Sequence, residues 1–169
     1  MPVPAIIVNA AENFSFNSDL LPKMVGDLSA EELLRRPSEK SNHIVWIVGH
    51  MMWARKGLLG LLGTQWSQPW IDSFAIHAKC DNGAAYPSPD ALVGAWREAS
   101  GVLAGALGNV SENALAQPSK NPHAQPSKAG PPSLDGKISG VVKYLAIHEI
   151  YHVGQVSYLR HWLGHKGLI

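Results

Sequence analysis

The chain has 169 residues with 14 basic and 13 acidic side chains, and its formal net charge of +1 without a block of one sign excludes a nucleic-acid-binding footprint. Its 46% of hydrophobic and 16% of charged residues exclude a disordered chain and indicate one globular domain over residues 1–169. Because Cys80 has no second cysteine to pair with, and because we find neither a signal peptide nor an apolar run long enough to cross a membrane, we expect a cytoplasmic protein with no membrane partner.

The N-terminal segment predicts a long helix followed by a short one. We expect the long helix over residues 5–27, with an irregularity at Pro22. Ser29 and Glu32 have the spacing of a capping box, in which each side chain bonds the backbone N–H of the other residue. A helical turn should therefore begin at Ser29 and end before Pro37.

Three further long helices are predicted from their capping signals. The first begins after the N-cap pair at 41–42 and ends near residue 62, where Gly63 stops it. The next is announced by serine and proline at 88–89 and ends near residue 107. The last covers residues 139–163, with Gly164 as its C-cap.

Two long connections separate these helices, residues 64–87 and 111–136. The second contains five prolines, and we interpret it as a surface loop, with a lid over a functional site as the alternative. No segment shows the alternating pattern of a convincing strand. The predicted fold class is therefore all-α, a four-helix bundle with long crossover connections.

The last helix carries a pair of histidines on a stripe that faces inward. His148 and His152 are four residues apart, so they project within about 40° of each other, and Gln155 follows on the same stripe. Two imidazoles in this arrangement can chelate one Zn²⁺ or a similar ion. The alternative is a pair of core histidines satisfied by hydrogen bonds, but burying two neutral imidazoles without a ligand leaves polar atoms to satisfy.

A metal ion needs at least a third protein ligand, and the second long helix offers two candidates. His43 and His50 lie about 10 Å apart along that helix, so only one can join the same ion. We choose His50 because its neighbours are apolar, and keep His43 as the fallback, since a solvated or capping role suits its place at the helix start. His161 and His165 lie off the stripe and are interpreted as surface or terminal residues.

The segment HEIYH at 148–152 also matches H-E-x-x-H, the zinc-peptidase motif in which the glutamate is the general base. The extended motif requires glycine and histidine where this chain has Gln155 and Tyr158. The other common version requires a downstream glutamate ligand, and residues 153–169 contain no acidic side chain. A peptidase also needs a sheet edge to hold a peptide. We therefore disfavour the peptidase interpretation.

Two segments carry a resemblance to a known family: NHIVWIVGH at 42–50 and HEIYHVGQVSYLR at 148–160. A histidine in the second long helix, followed by H-x-x-x-H-x-G-Q and an arginine in the last, resembles the DinB-like (YfiT-type) family of metalloenzymes. The resemblance implies a four-helix bundle with a long crossover. It also implies one divalent transition metal, often zinc or nickel, held by three histidines, which correspond to His50, His148 and His152. Characterised relatives include transferases and an isomerase that use the small thiols bacillithiol or mycothiol.

Three neutral histidines leave a coordination position open, which favours a catalytic over a structural metal site. We therefore expect a metal-dependent transferase that joins a low-molecular-weight thiol to an electrophilic substrate. The alternatives are a metal-dependent hydrolase and a non-catalytic metal-binding dimeric bundle. A homodimer is expected from base rate and from the resemblance.

Four side chains near the histidines are candidates for roles at the site. Glu149 is a candidate catalytic base or a partner of a ligand, with surface exposure as the alternative. Gln155 is a candidate for orienting water or a ligand. Tyr151 and Arg160 lie off the stripe and are expected to reach a pocket mouth only from its flank.

Overall fold

The computed structural model describes residues 2–81, 86–120 and 134–167. Within these residues the chain is helical, and the one β-feature is an isolated bridge between Pro118 and Lys137. Four long helices and two short ones form the structure, which confirms the predicted all-α bundle. The helices are α1 (Val8–Val25), α2 (Ala30–Leu34), α3 (Ile44–Leu61), α4 (Pro89–Asn109), α5 (Glu112–Leu115) and α6 (Ile138–Trp162), with 3₁₀ turns at Ala5–Ile7 and Ile71–Phe74.

The helix ends largely follow their capping residues. Ser88 accepts a hydrogen bond from a backbone N–H in the first turn of α4, and Ser29 forms the predicted capping box. The predicted cap pair at 41–42 is wrong, because α3 is capped by His43. At the C-terminal ends, Gly63 and Gly164 have φ of 77° and 92°, a left-handed conformation that side-chain-bearing residues rarely adopt.

Helices α3 and α6 pack against each other, and each also packs against a further long helix. Helix α1 contacts both α4 and α6, and α3 contacts both α4 and α6. Because α6 has neighbours on two sides, consecutive residues of α6 that point in different directions can both be buried. Two consecutive residues of α6, His148 and Glu149, can therefore face two different helices.

The connection between α3 and α4 folds back onto the middle of α3. Its 3₁₀ turn places the ring of Phe74 directly against Gly49, where an added Cβ atom would lie 2.4 Å from the ring. Glycine is therefore required at position 49 for close approach, although its backbone is ordinary helix. The contact fixes the Phe74 backbone beside the next residue of α3, which is His50.

The second connection begins with α5 and ends with the bridge to Lys137. Residues 121–133 lie outside the described residues, so neither the surface-loop interpretation of 111–136 nor the lid alternative is tested. Among the helices that are described, none combines the length and apolar character needed to span a membrane.

Candidate metal centre

The three predicted metal ligands converge at one place between α3 and α6. His50 lies in the middle of α3, and His148 and His152 lie one turn apart on α6. Ligand nitrogens of the three rings all lie within 4.8 Å of one another, and the Nε2 atoms of His148 and His152 are 3.0 Å apart. Over residues 2–81, 86–120 and 134–167, this is the group of histidine, cysteine and acidic side chains close enough to hold one ion.

Two of the three imidazoles are oriented by hydrogen bonds on the side away from the centre. His50 Nδ1 donates to the Phe74 carbonyl at 2.9 Å, and His152 Nδ1 donates to the amide oxygen of Gln155 at 2.7 Å. The Gln155 amide nitrogen in turn donates to the Tyr151 hydroxyl at 3.2 Å. Since a neutral imidazole carries one proton, these bonds leave both Nε2 atoms unprotonated. Unprotonated nitrogens oriented by such outer partners are typical of metal-binding histidines.

All three histidines are neutral near pH 7. Burial, together with the nearby His152 and His50, lowers the pKa of His148 to about 3. Burial also lowers the pKa of His152 to about 4, although its bond to Gln155 acts in the opposite direction. The pKa of His50 is lowered by burial as well. Neutral imidazole is the form that binds a metal ion.

Aromatic rings line the cluster on the α3 side. The His50 ring is stacked between Trp46 and Trp53, with ring centroids 5.0 and 5.8 Å away. Trp46 and His50 are buried, whereas His148 on the opposite side is half-buried. The cluster is therefore closed by indole rings on one side and reached by solvent from the side of His148.

The donor set fits one divalent transition metal. Three neutral imidazoles suit zinc, nickel, copper or iron, and structural zinc sites are normally closed by a fourth protein ligand. In the part of the chain that the structure describes, no fourth histidine, cysteine or acidic side chain joins the cluster. The arrangement therefore matches a site with an open position for a small molecule.

Glu149 lies outside this cluster, although it follows His148 directly. Its carboxylate is buried and paired with Arg55, at 2.7 Å and 2.8 Å, and it accepts a third hydrogen bond from Asn17 at 3.1 Å. The alternative of surface exposure is wrong, because the neighbouring helices α1 and α3 cover this side of α6. With both oxygens occupied, Glu149 is poorly placed as a base, and the H-E-x-x-H geometry of a peptidase is not formed.

The remaining candidates near the site have roles that sequence spacing alone did not reveal. Gln155 contacts His152 on the side away from the centre, which is the second of the two predicted roles, the orientation of a ligand. Tyr151 is exposed and bonds Gln155. Arg160 does not flank the site. It lies two turns beyond His152 on α6, and its buried guanidinium is paired with Asp27, which follows α1.

The other histidines are placed close to expectation. His43 caps α3, accepting from the Trp46 N–H at 3.1 Å, and it is fully buried rather than solvated. Its Nε2 donates to the Asp81 carbonyl at 2.9 Å, so both ring nitrogens are occupied. His161 is exposed, and His165 pairs with Glu32 near the end of the described chain. None of the three joins the cluster.

The three-histidine cluster between two helices of an all-α bundle places the chain in the class of candidate metalloproteins. The sequence model of the DinB superfamily matches residues 13–156, which is most of the chain and includes all three histidines. The chain therefore belongs to the DinB superfamily. No curated protein matches it.

Proposed function

We propose that the protein binds one divalent transition metal, zinc or nickel, through His50, His148 and His152, and that it catalyses transfer of a low-molecular-weight thiol to an electrophilic substrate. The observation that carries the metal assignment is the convergence of three neutral imidazoles with no fourth protein ligand among the described residues. The thiol is supported by resemblance to relatives that use bacillithiol or mycothiol.

The chemistry at such a site follows from charge. A divalent ion bound there lowers the pKa of a thiol or water that reaches it, and so supplies a nucleophile at neutral pH. In the proposed transfer, the sulfur forms a bond to an electrophilic carbon, the bond to the leaving group breaks, and the thiol proton leaves with that group or to solvent. The protein contributes the orientation of the three imidazoles and the exclusion of water by Trp46 and Trp53.

Two other functions use the same cluster. A hydrolase would activate water in place of the thiol, and the half-buried His148 side admits either. A non-catalytic bundle would bind the metal without turnover. The open position favours an enzyme over the non-catalytic bundle, since a purely structural site is normally closed by protein ligands.

We further propose that the protein is a homodimer that uses the outer face of α6. That face exposes Ile147, Tyr151 and Tyr158, with exposed fractions of 52%, 64% and 63%, and residue 154 between them is glycine. The three side chains follow one stripe at helical spacing, without a charged residue between them on that stripe. Continuous apolar surface of this kind is typical of an interaction site.

Turnover assays separate the enzymatic proposals from the non-catalytic one. The metal-loaded protein is incubated with a small thiol and an electrophile, and thiol conjugates are measured by mass spectrometry. We expect conjugates with the wild-type protein and none above background with His148→Ala, whereas His43→Ala retains turnover. Hydrolysed electrophile without conjugate would support the hydrolase. Absence of both products with an intact metal site would support the non-catalytic bundle.

A further inference from the structure

The buried ion pair between Arg55 and Glu149 joins the same two helices that supply the metal ligands. Its two side chains are only 1% and 3% exposed, and the guanidinium contacts the carboxylate through Nε at 2.7 Å and through a terminal nitrogen at 2.8 Å. Arg55 follows His50 by five residues on α3, and Glu149 is the residue after His148 on α6. The pair therefore fixes α3 and α6 relative to each other within about one turn of the histidine cluster.

The pair is held rigidly by its surroundings. The Arg55 guanidinium also donates to the hydroxyls of Ser100 on α4 and Ser18 on α1, at 2.7 Å and 3.1 Å. Its carbon centre lies 3.8 Å from the centroid of the Trp96 indole ring. Arg55 thus connects to all three other long helices. A planar guanidinium that makes several hydrogen bonds has little freedom to shift, so this contact fixes the distance between α3 and α6.

The ion pair and His148 line a common gap whose other walls are apolar. A narrow gap with no room for water lies between His148 and the pair, and Met51, Leu58 and Leu145 contribute to its walls. The hydrogen bonds of the Glu149 carboxylate go to Arg55 and Asn17, which points to a role in holding the helices and not in proton transfer to the imidazoles.

We propose that Arg55 and Glu149 are positioning residues of the metal site, whose interhelical contact sets the spacing of His50 against His148 and His152. This inference rests on the metal site proposed above. Metal–nitrogen bonds tolerate only small deviations in length, so a small shift of α6 against α3 moves a ligand out of range. The glutamate of the H-E-x-x-H segment acts here as a spacer between helices.

The test measures metal affinity in variants that disturb this contact while the protein stays folded. The double substitution Arg55→Met with Glu149→Leu replaces the pair by apolar side chains and leaves no unpaired buried charge. Arg55→Lys keeps the charge but loses the forked geometry, and serves as a second variant if the double variant does not fold. The matched control, Arg160→Met with Asp27→Asn, removes another ion pair of α6 two turns from the site.

The readouts are the Kd for Co²⁺ and Zn²⁺, from competition with a chromophoric chelator, and the visible absorption spectrum of bound Co²⁺. As long as the folded fraction is close to one, a loss of global stability by itself leaves the Kd unchanged. A purely structural role for the pair therefore shifts the Tm but neither the Kd nor the Co²⁺ spectrum.

We expect the double variant and Arg55→Lys to bind Zn²⁺ and Co²⁺ roughly 10–100-fold more weakly, which is the loss of affinity seen when groups that orient metal ligands are removed. The spectrum of bound Co²⁺ should also change. The control should bind like wild type, because distant sites act independently. Unchanged Kd and spectrum in both folded variants, with binding abolished in His148→Ala, would overturn the positioning role and leave the metal site intact. Binding that survives His148→Ala would overturn both proposals.

Discussion

Helices α3 and α6 meet at two buried polar clusters that differ in how they are satisfied. Around Glu149, three donor groups from Arg55 and Asn17 bond the two carboxylate oxygens, so charge and hydrogen bonds are balanced within the protein. Around His148, the ring nitrogens face one another, with two Nε2 atoms 3.0 Å apart. Since His148 and Glu149 are consecutive, the difference arises from which helices cover each side of α6.

The comparison distinguishes a cluster that stabilises the fold from one suited to bind a ligand. Removing one partner of a closed buried ion pair leaves an uncompensated charge, which is costly. A pair of neutral imidazoles joined by one hydrogen bond between Nε2 atoms loses less stability when one ring is removed, and its converging nitrogens favour a cation between them. The histidine cluster should therefore contribute little to the stability of the metal-free fold, whereas the ion pair should stabilise the fold in addition to its proposed effect on the spacing of the ligands.

The largest expected effect is on the stability of the metal-free protein after substitution at two adjacent residues. Glu149→Leu leaves Arg55 buried without its counter-charge and should lower the free energy of unfolding by about 3–5 kcal/mol. His148→Leu removes a half-buried imidazole and should change it by less than about 1 kcal/mol. Urea denaturation of both variants checks this. Equal losses would contradict the distinction between the clusters.

An intermediate effect is expected at the glycine that supports His50. In Gly49→Ala the new methyl group meets the Phe74 ring, and overpacking of this kind costs about 1–3 kcal/mol. Helix propensity returns at most about 1 kcal/mol, so the Tm should fall. Because the Phe74 carbonyl orients His50, metal affinity should fall as well.

Gly57→Ala is the matched control on the same helix. Nothing lies within 4 Å of a Cβ atom there, so the substitution should raise the Tm through helix propensity alone and leave metal affinity unchanged. If Gly49→Ala behaves like Gly57→Ala, the docking of Phe74 against α3 is not needed for the site.

A further effect, absent at neutral pH and present only on acidification, is a pH dependence that belongs to the histidine cluster. In the folded protein the pKa values of His148 and His152 are lowered to about 3 and about 4, below the ordinary value of 6.5 that holds in the unfolded chain. The unfolded chain therefore binds more protons as the pH falls below 6.5, and the metal-free fold loses stability progressively down to about pH 3.

The contribution of these two residues can be isolated by difference. We expect the free energy of unfolding of metal-free wild type to fall more steeply between pH 6.5 and 4.5 than that of His148→Gln with His152→Gln, because the variant lacks both titrating groups. Carboxylates titrate equally in both proteins and cancel. Parallel pH profiles would mean that the two imidazoles are not protected from protonation in the folded state.

Local patterns in the sequence were sufficient to predict the helices and the three-histidine cluster. Capping residues and glycines defined the helix ends, and the four-residue spacing of His148 and His152 defined one ligand pair. His50 was chosen over His43 because of its apolar neighbours, and His43 indeed caps α3. Each of these inferences depends on residues close together in the chain.

Long-range partners were not predictable in this way. Glu149 was left between a catalytic and an exposed role, because its environment depends on Arg55, 94 residues away, and on Asn17 in α1. Arg55, in a helix most of whose residues are apolar, was a signal that favours a buried counter-charge. The Phe74 carbonyl that orients His50 could not be predicted, because every residue has a backbone carbonyl and the sequence does not indicate which one bonds a side chain.

The most direct test of the account measures how a bound metal is coordinated. X-ray absorption on the zinc-loaded protein should show three imidazole nitrogens at about 2.0–2.1 Å and one or more oxygen ligands from solvent, with one ion per chain. His50→Ala, His148→Ala and His152→Ala should each lose the bound ion, and His43→Ala should retain it. Zinc that binds with no imidazole signal, or equally well in all four variants, would contradict the three-histidine metal centre.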